Sequence, residues 1–225
     1  MFLLGLVFPL FNCSQDDAIY LSNPTRQLNY LALGDSYTIG QSVCTTCRFP
    51  EQLKASLQNT YPNNPFLLQV IAKTGWTTTN LLSEINLVNP STNFDLVTLL
   101  IGVNNQYQNK PFALYETEFP ELVNKAITLA KGDKNNVIVL SIPDYAYTPF
   151  GQGAVNISTA IDQYNTFAQN YCASNAIAFV TITDITRLGL AQPELVASDN
   201  LHPSELAYSK FVERILPKAL TVFGN

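Results

Sequence analysis

Residues 31–40 read LALGDSYTIG, an apolar run that ends abruptly in a glycine, an acid and a hydroxyl. Such a run is typical of a buried strand that delivers polar residues to a turn. Ser36 stands in that turn, and a serine hydroxyl is a poor nucleophile at neutral pH unless a neighbouring base takes its proton. The one histidine of the chain is His202, with Asp199 three positions before it. Together these residues indicate nucleophilic catalysis.

Four more apolar stretches follow, and helical patterns alternate with them. The strands are predicted at residues 29–33, 66–72, 94–101, 136–142 and 176–182. Residues 94–101 (FDLVTLLI) are almost continuously apolar, as expected of a strand buried on both faces. Five strands that alternate with helices predict an α/β fold, with a parallel sheet covered by helices on both faces.

Prolines set the predicted limits of several helices. A helix is expected to begin at Pro50, and Pro120 is expected to split the helical pattern of residues 111–130 into two pieces. The last helix is predicted to begin at Pro203 and to kink at Pro217.

The candidate polar groups all follow the carboxyl ends of predicted strands. Ser36 follows the first strand, Gly75 the second and Asn104 the third, while Asp199 and His202 lie after the fifth. Ligands of parallel sheets bind beyond these strand ends. The sequence therefore places one site at one edge of the sheet.

Length and composition limit the class of protein. The chain has 225 residues, of which 47% are apolar, and this predicts one domain with a large core. Its formal charge is −5, and its 12 lysines and arginines form no basic run. Nucleic acid is therefore not expected as a partner.

The N-terminus predicts export. Residues 1–12 are almost wholly apolar and are followed by Cys13 and polar sequence, which resembles a bacterial lipoprotein signal with lipidation at Cys13. No lysine or arginine precedes the apolar run, so an ordinary cleaved signal or a truncated start stays open. Residues 13–28 are interpreted as a connector. The expected location is the cell envelope, with a lipid anchor in the periplasm or outer membrane, or outside the cell, and the possible anchor is the only membrane contact expected.

The cysteines have structural interpretations. Cys44 and Cys47 form a C-x-x-C pair, for which a disulfide is the simplest account in an exported protein. A redox motif stays open, whereas a zinc site would need two more ligands. Cys172 is assigned to packing.

Other hydrolase motifs are absent. The pattern G-x-S-x-G fails because Thr38 stands two residues after Ser36, and H-E-x-x-H needs two histidines. Instead, GDSY at residues 34–37, Gly75, GVN at 102–104 and DNLHP at 199–203 resemble the SGNH, or GDSL-type, hydrolases. The resemblance spans residues 29–222, and the hydrolase domain is assigned to residues 29–225.

This resemblance implies a flavodoxin-like three-layer α/β/α sandwich with a five-stranded parallel sheet, and ester hydrolysis through an acyl-serine without metal or cofactor. By position it implies Ser36 as nucleophile, His202 as base and Asp199 as the residue that orients the base. The implied oxyanion donors are the backbone N–H groups of Ser36 and Gly75 and the side-chain amide of Asn104. Asp35 belongs to the motif without a chemical role. Many members have an aspartate where this chain has Asn105.

Aromatic residues on the same loops are expected to form the substrate pocket and indicate an apolar or sugar-stacking ligand. The predicted lining residues are Tyr37, Trp76, Tyr107, Phe112, Tyr145, Tyr147 and Phe150. The expected partner is a small-molecule ester with a small or medium acyl group. Carbohydrate O-deacetylation, lysophospholipase or thioesterase activity, and an inactive binding domain on the same scaffold stay open.

Overall fold

A five-stranded parallel sheet forms the centre of the chain in the computed structural model, which describes residues 26–224. The strands are β1 (Leu28–Gly34), β2 (Phe66–Ala72), β3 (Leu96–Leu100), β4 (Val137–Leu140) and β5 (Ala178–Val180). They lie in the order β2-β1-β3-β4-β5, and every neighbouring pair is parallel. All five residues of β3 are buried, which accounts for the continuous apolar run in the sequence.

Helices cover both faces of this sheet. They are α1 (Ser36–Ile39), α2 (Phe49–Thr60), α3 (Thr78–Val88), α4 (Val103–Tyr107), α5 (Phe112–Leu129), α6 (Val155–Ser174), α7 (Thr183–Thr186) and α8 (Glu205–Phe223). Helices α2 and α8 pack together as one layer, whereas α3, α5 and α6 pack side by side as the other. The chain is therefore a three-layer α/β/α sandwich, as the sequence predicts.

Two predicted helix features are wrong. Helix α5 continues through Pro120 as one helix, although a proline inside a helix removes a hydrogen bond and costs about 3 kcal/mol. Phe119 and Leu122, on either side of this proline, are buried, and Phe119 packs against aromatic rings of α6, so such packing offsets the cost. Helix α8 begins at Glu205 instead of Pro203, because the side chain of Ser204 caps it by accepting a hydrogen bond from the Ala207 N–H.

The N-terminal predictions lie mostly outside the described residues. These are the signal at residues 1–12, the lipidation of Cys13 and the connector up to residue 25. Strand β1 begins at Leu28, one residue before the predicted start. In the described range, 26–224, no helix has the length and apolar character needed to cross a membrane.

Candidate active site

The turn between β1 and α1 carries Ser36. Glycine is required at position 34 because a Cβ atom there would overlap the hydroxyl of Thr38 and the carbonyl oxygen of Leu100. Asp35 caps the short helix, since its Oδ1 atom accepts a hydrogen bond of 3.0 Å from the N–H of Tyr37. Ser36 is the first residue of α1, and its side chain faces a cavity at the carboxyl edge of the sheet.

Asp199 and His202 form a hydrogen-bonded pair in the loop before α8. Asp199 Oδ2 lies 2.6 Å from His202 Nδ1, so the Nε2 atom is the ring nitrogen left for a substrate or nucleophile. Asp199 Oδ1 accepts hydrogen bonds from the backbone N–H groups of Leu201 and His202, at 3.0 and 2.9 Å. These bonds hold the carboxylate and the imidazole in one relative orientation.

The carboxylate of Asp199 is held ionised. Burial by itself raises its pKa, but hydrogen bonds from the Ser42 hydroxyl and from the backbone and ring of His202 outweigh burial and lower the pKa to about 2. A permanently charged carboxylate can stabilise the imidazolium that forms when His202 takes a proton.

Ser36 and His202 meet at the same cavity, although 166 positions separate them in sequence. The ring of Tyr37 packs against the imidazole of His202, with 5.0 Å between ring centroids. Within residues 26–224 no hydrogen bond joins Ser36 Oγ to the imidazole. Such a bond often tightens only when substrate binds.

The three residues predicted as oxyanion donors, Ser36, Gly75 and Asn104, line the same cavity. Gly75 has a φ of 83°, a conformation that favours glycine, and it lies at the cavity wall with Ser36. In the described part of the chain, the backbone N–H groups of Ser36 and Gly75 have no acceptor. Asn104, the second residue of α4, donates its Nδ2 amide to the carbonyl oxygen of Trp76 at 3.1 Å.

Asp35 lies beside the amide of Asn104. Its Oδ2 atom is 3.5 Å from Asn104 Nδ2, at the outer limit of a hydrogen bond, so one N–H of this amide is held only weakly. Asp35 is fully buried, and burial raises its pKa to about 7 although the hydrogen bonds from Tyr37 and Asn104 act in the opposite direction.

The cavity has a volume of about 190 Å³ and mostly apolar walls. Its lining residues are Ser36, Tyr37, Thr74, Gly75, Val103, Asn104, Tyr107, Tyr145, Phe150, Leu201 and His202. The rings of Tyr107, Tyr145 and Phe150 contact one another, with centroids 5.9 to 6.2 Å apart. Tyr107 and Phe150 are 53% and 49% exposed, so they form the mouth of the cavity.

Three of the predicted pocket residues lie elsewhere. Trp76 packs against the core, and only its carbonyl oxygen reaches the site, through Asn104. Phe112 packs among Tyr164 and other aromatic rings between α5 and α6. Tyr147 ends a short 3-10 helix, Tyr145–Tyr147, and is not among the lining residues, although Tyr145 at the start of the same turn is.

Several contacts at the site were not predicted. Gln106 Oε1 accepts a hydrogen bond of 2.8 Å from the Tyr145 hydroxyl and so fixes one ring of the cavity wall. Asn105 is fully buried, accepts from the Thr78 N–H at 2.9 Å and donates to the Thr78 hydroxyl at 2.6 Å. Asn105 therefore holds the start of α3, a function that its position beside Asn104 does not reveal.

The cysteines lie outside the cavity wall. Cys44 and Cys47 are joined by a disulfide, in agreement with the predicted pairing. Cys172 is a buried free thiol on α6, and burial raises its pKa to about 12, which is consistent with packing. Residues 26–224 contain no group of three or more histidine, cysteine, aspartate or glutamate side chains placed to hold a metal ion.

A family model matches most of the chain. The GDSL-like lipase/acylhydrolase model matches residues 32–210, which include Ser36, Asn104, Asp199 and His202. No curated protein matches the chain closely enough to count as a relative.

Solved structures share the fold at low sequence identity. An acetylxylan esterase from Geobacillus stearothermophilus is 19% identical with a TM-score of 0.65, and the match covers 87% of this chain and 95% of that chain. A lipase from a goat rumen metagenome is 19% identical with a TM-score of 0.69, over 85% of this chain and 97% of that chain. A member of the lipolytic G-D-S-L family from Veillonella parvula is 19% identical with a TM-score of 0.65, over 88% of this chain and 99% of that chain.

Proposed function

Because the chain belongs to the GDSL-like lipase/acylhydrolase family, we propose that it hydrolyses carboxylic esters through an acyl-serine intermediate. The observation that carries the proposal is the Asp199–His202 hydrogen bond at a cavity that also contains Ser36. A histidine that merely capped α8 would have no need of a carboxylate partner on its Nδ1 atom.

The proposed reaction has two stages. Ser36 Oγ attacks the acyl carbon while His202 Nε2 takes its proton, and the alcohol then leaves with that proton as the C–O bond breaks. Water attacks the acyl-serine in the second stage, and His202 again acts as base. Charge on the carbonyl oxygen is stabilised by the N–H groups of Ser36 and Gly75 and by the amide of Asn104.

The cavity favours a small or medium acyl group. Drug-sized ligands occupy pockets of about 300–1,000 Å³, whereas this cavity measures about 190 Å³. Its apolar walls match an acyl chain, and a long lysophospholipid or thioester chain would extend across the exposed rings of Tyr107 and Phe150. Carbohydrate O-deacetylation is the second candidate, since these exposed rings can also stack against a sugar.

Hydrolysis of p-nitrophenyl esters tests the reaction. We expect Ser36→Ala and His202→Ala each to lower kcat by a factor on the order of 10⁴, with the double variant little worse than either, because nucleophile and base act as one unit. Asp199→Asn should be less severe. If His202→Ala kept a tenth of the wild-type rate near neutral pH, the assignment would be wrong, and a folded wild-type protein without esterase activity would favour a binding domain.

A series of acyl lengths separates the substrate classes. We expect kcat/KM to rise from acetate to a medium chain and then to fall as the chain outgrows the cavity. A preference for acetylated xylan or acetylated sugars over every p-nitrophenyl ester would instead support O-deacetylation.

We also propose an exported location. The apolar residues 1–12 before Cys13 and the Cys44–Cys47 disulfide support it, since disulfides persist in oxidising compartments. Cell fractionation of the full chain and of a Cys13→Ser variant tests the proposal. Loss of membrane attachment in the variant supports a lipid anchor, while release of both proteins supports a cleaved signal.

A further inference from the structure

A serine outside the predicted triad contacts the carboxylate of the Asp199–His202 pair. Ser42 Oγ donates to Asp199 Oδ2 at 2.6 Å, and the same oxygen lies 2.6 Å from His202 Nδ1. Since Oδ1 already accepts two backbone N–H groups, four donors surround this carboxylate. A carboxylate has about four acceptor positions. Ser42 completes the set and leaves Asp199 one orientation.

Ser42 is attached to the segment that carries the nucleophile. The carbonyl oxygen of Ser36 accepts hydrogen bonds of 3.0 Å from the N–H groups of Gly40 and Gln41, which directly precede Ser42. The side chain of Gln41 in turn accepts a hydrogen bond of 2.6 Å from Thr74. On the other side of Ser42, Val43 packs against the hydrophobic core. Ser42 therefore moves with Ser36.

The bond from Ser42 joins two distant parts of the chain. Ser42 and Asp199 are 157 positions apart. Across the described residues, it is the one hydrogen bond between the segment 36–48, which carries the nucleophile, and the loop 196–204, which carries the acid–base pair. The packing of Tyr37 against His202 also connects these two parts. The bond from Ser42 thus links the position of His202 to that of Ser36.

The backbone conformation at Ser42 also indicates that its side chain has a function. Its φ is 67°, in the left-handed region where glycine is favoured and a serine is disfavoured. Strained positions that persist often mark functional sites. The hydroxyl gives the reason for a side chain here. Burial raises the pKa of Asp199, and among the hydrogen bonds that lower it the bond from Ser42 is the largest.

We propose that Ser42 is a positioning residue, which fixes Asp199 and through it holds His202 at the working distance from Ser36. The proposal rests on the proposed esterase function. It predicts that loss of the hydroxyl lowers kcat while substrate binding stays nearly unchanged, because Ser42 does not line the cavity.

Two substitutions separate the effect of the hydroxyl from the effect of the strained backbone conformation. Ser42→Ala removes the hydroxyl and keeps the strained backbone, whereas Ser42→Gly removes the hydroxyl and relaxes the backbone. We expect kcat on p-nitrophenyl acetate to fall on the order of tenfold in both variants, with KM within about twofold of wild type. This should hold even though Ser42→Gly melts at a higher temperature than Ser42→Ala.

Thr45→Ala, on the same loop without a contact to Asp199, is the matched control and should keep the wild-type rate. A wild-type kcat for Ser42→Gly would overturn the proposal.

The second arm asks whether Ser42 acts through Asp199. In an Asp199→Ala background the hydroxyl has no acceptor, so Ser42→Ala should change kcat by less than about twofold. A full tenfold loss in this background would show that the residue acts by another route and would overturn the proposal. If Asp199→Ala alone left kcat unchanged, the triad assignment would fail, whereas a slow Asp199→Ala enzyme beside a fast Ser42→Ala enzyme would reject only the function of Ser42.

Discussion

At the scale of single residues, Asn104 and Asn105 are neighbours on α4 with different contacts. The amide of Asn104 reaches the cavity edge and the Trp76 carbonyl, while Asn105 is fully buried and bonds to Thr78 at the start of α3. An oxyanion donor acts most strongly in the transition state, whereas a buried structural amide acts equally in all states of the folded protein.

Substitution of each asparagine by alanine should therefore affect different measurements. We expect Asn104→Ala to lower kcat by about 10²–10³, roughly 3–4 kcal/mol, with little change in KM or Tm. Asn105→Ala should cost much less in rate per folded molecule, but it leaves the Thr78 N–H buried without an acceptor and should lower stability by about 1–3 kcal/mol. Kinetics and thermal melts on both variants test this, and a stability loss without a rate loss for Asn104→Ala would contradict the oxyanion assignment.

The buried carboxyl group of Asp35 leads to a prediction for how stability depends on pH. Its pKa is about 7 in the folded chain and near its usual 3.8 in the unfolded chain, so between these pH values the folded state keeps a proton that the unfolded chain has released. The free energy of unfolding contributed by this group therefore falls as pH rises from about 4 to about 7. Asp199, with its pKa lowered to about 2, acts in the opposite direction and only at lower pH.

Asp35→Asn removes this titration. We expect the free energy of unfolding of the wild type to fall by up to a few kcal/mol more than that of the variant between about pH 4 and pH 7. Urea unfolding of both proteins at several pH values measures the difference. Parallel stability profiles would mean that Asp35 stays ionised when buried.

At the scale of elements, the five strands and their order of appearance follow from the sequence because buried strands leave continuous apolar runs. The ends of the elements are predicted less accurately from the sequence. Strand β3 stops at Leu100, before the predicted end, and α5 continues through Pro120, because tertiary packing decides both points and no local pattern records it.

The Cys44–Cys47 disulfide lies in the loop that joins α1 to α2. It closes a very small ring, so it should add at most about 2 kcal/mol to stability. We expect the double variant Cys44→Ser/Cys47→Ser to melt at a slightly lower temperature and to keep the wild-type kcat, because Gln41 and Val43 hold Ser42 independently of the disulfide. A large loss of kcat would show that the disulfide itself supports the site, and alkylation with mass spectrometry verifies its oxidation in the wild type.

At the scale of the whole molecule, parallel topology accounts for what the sequence predicts about the site. All strands point the same way, so Ser36, Gly75, Asn104 and His202 meet at one edge. The contact between Ser42 and Asp199 could not be predicted, because no periodicity or motif relates two loop residues that are 157 positions apart. The orientation of Trp76 and Tyr147 likewise depends on packing that a sequence pattern does not contain.

The end of the sandwich opposite the cavity leads to a prediction that concerns stability and not catalysis. Phe223, the last residue of α8, packs edge-on against Phe66 at 5.3 Å and against Tyr61 at 5.8 Å, and Phe66 begins β2 at the amino edge of the sheet, away from the cavity. Phe223→Ala should lower the free energy of unfolding by about 2 kcal/mol or more, with kcat per folded molecule unchanged. Thr221→Ala, at an exposed position of the same helix, is the control. An equal effect of both variants on Tm would contradict the role of this aromatic contact.

The position of α8 also determines when the chain can fold. This helix follows all five strands in the sequence, yet it packs against α2 and against β4 and β5. During synthesis, the part of the sheet face that α8 covers stays exposed until residues 205–223 have emerged, so stable folding waits for this helix.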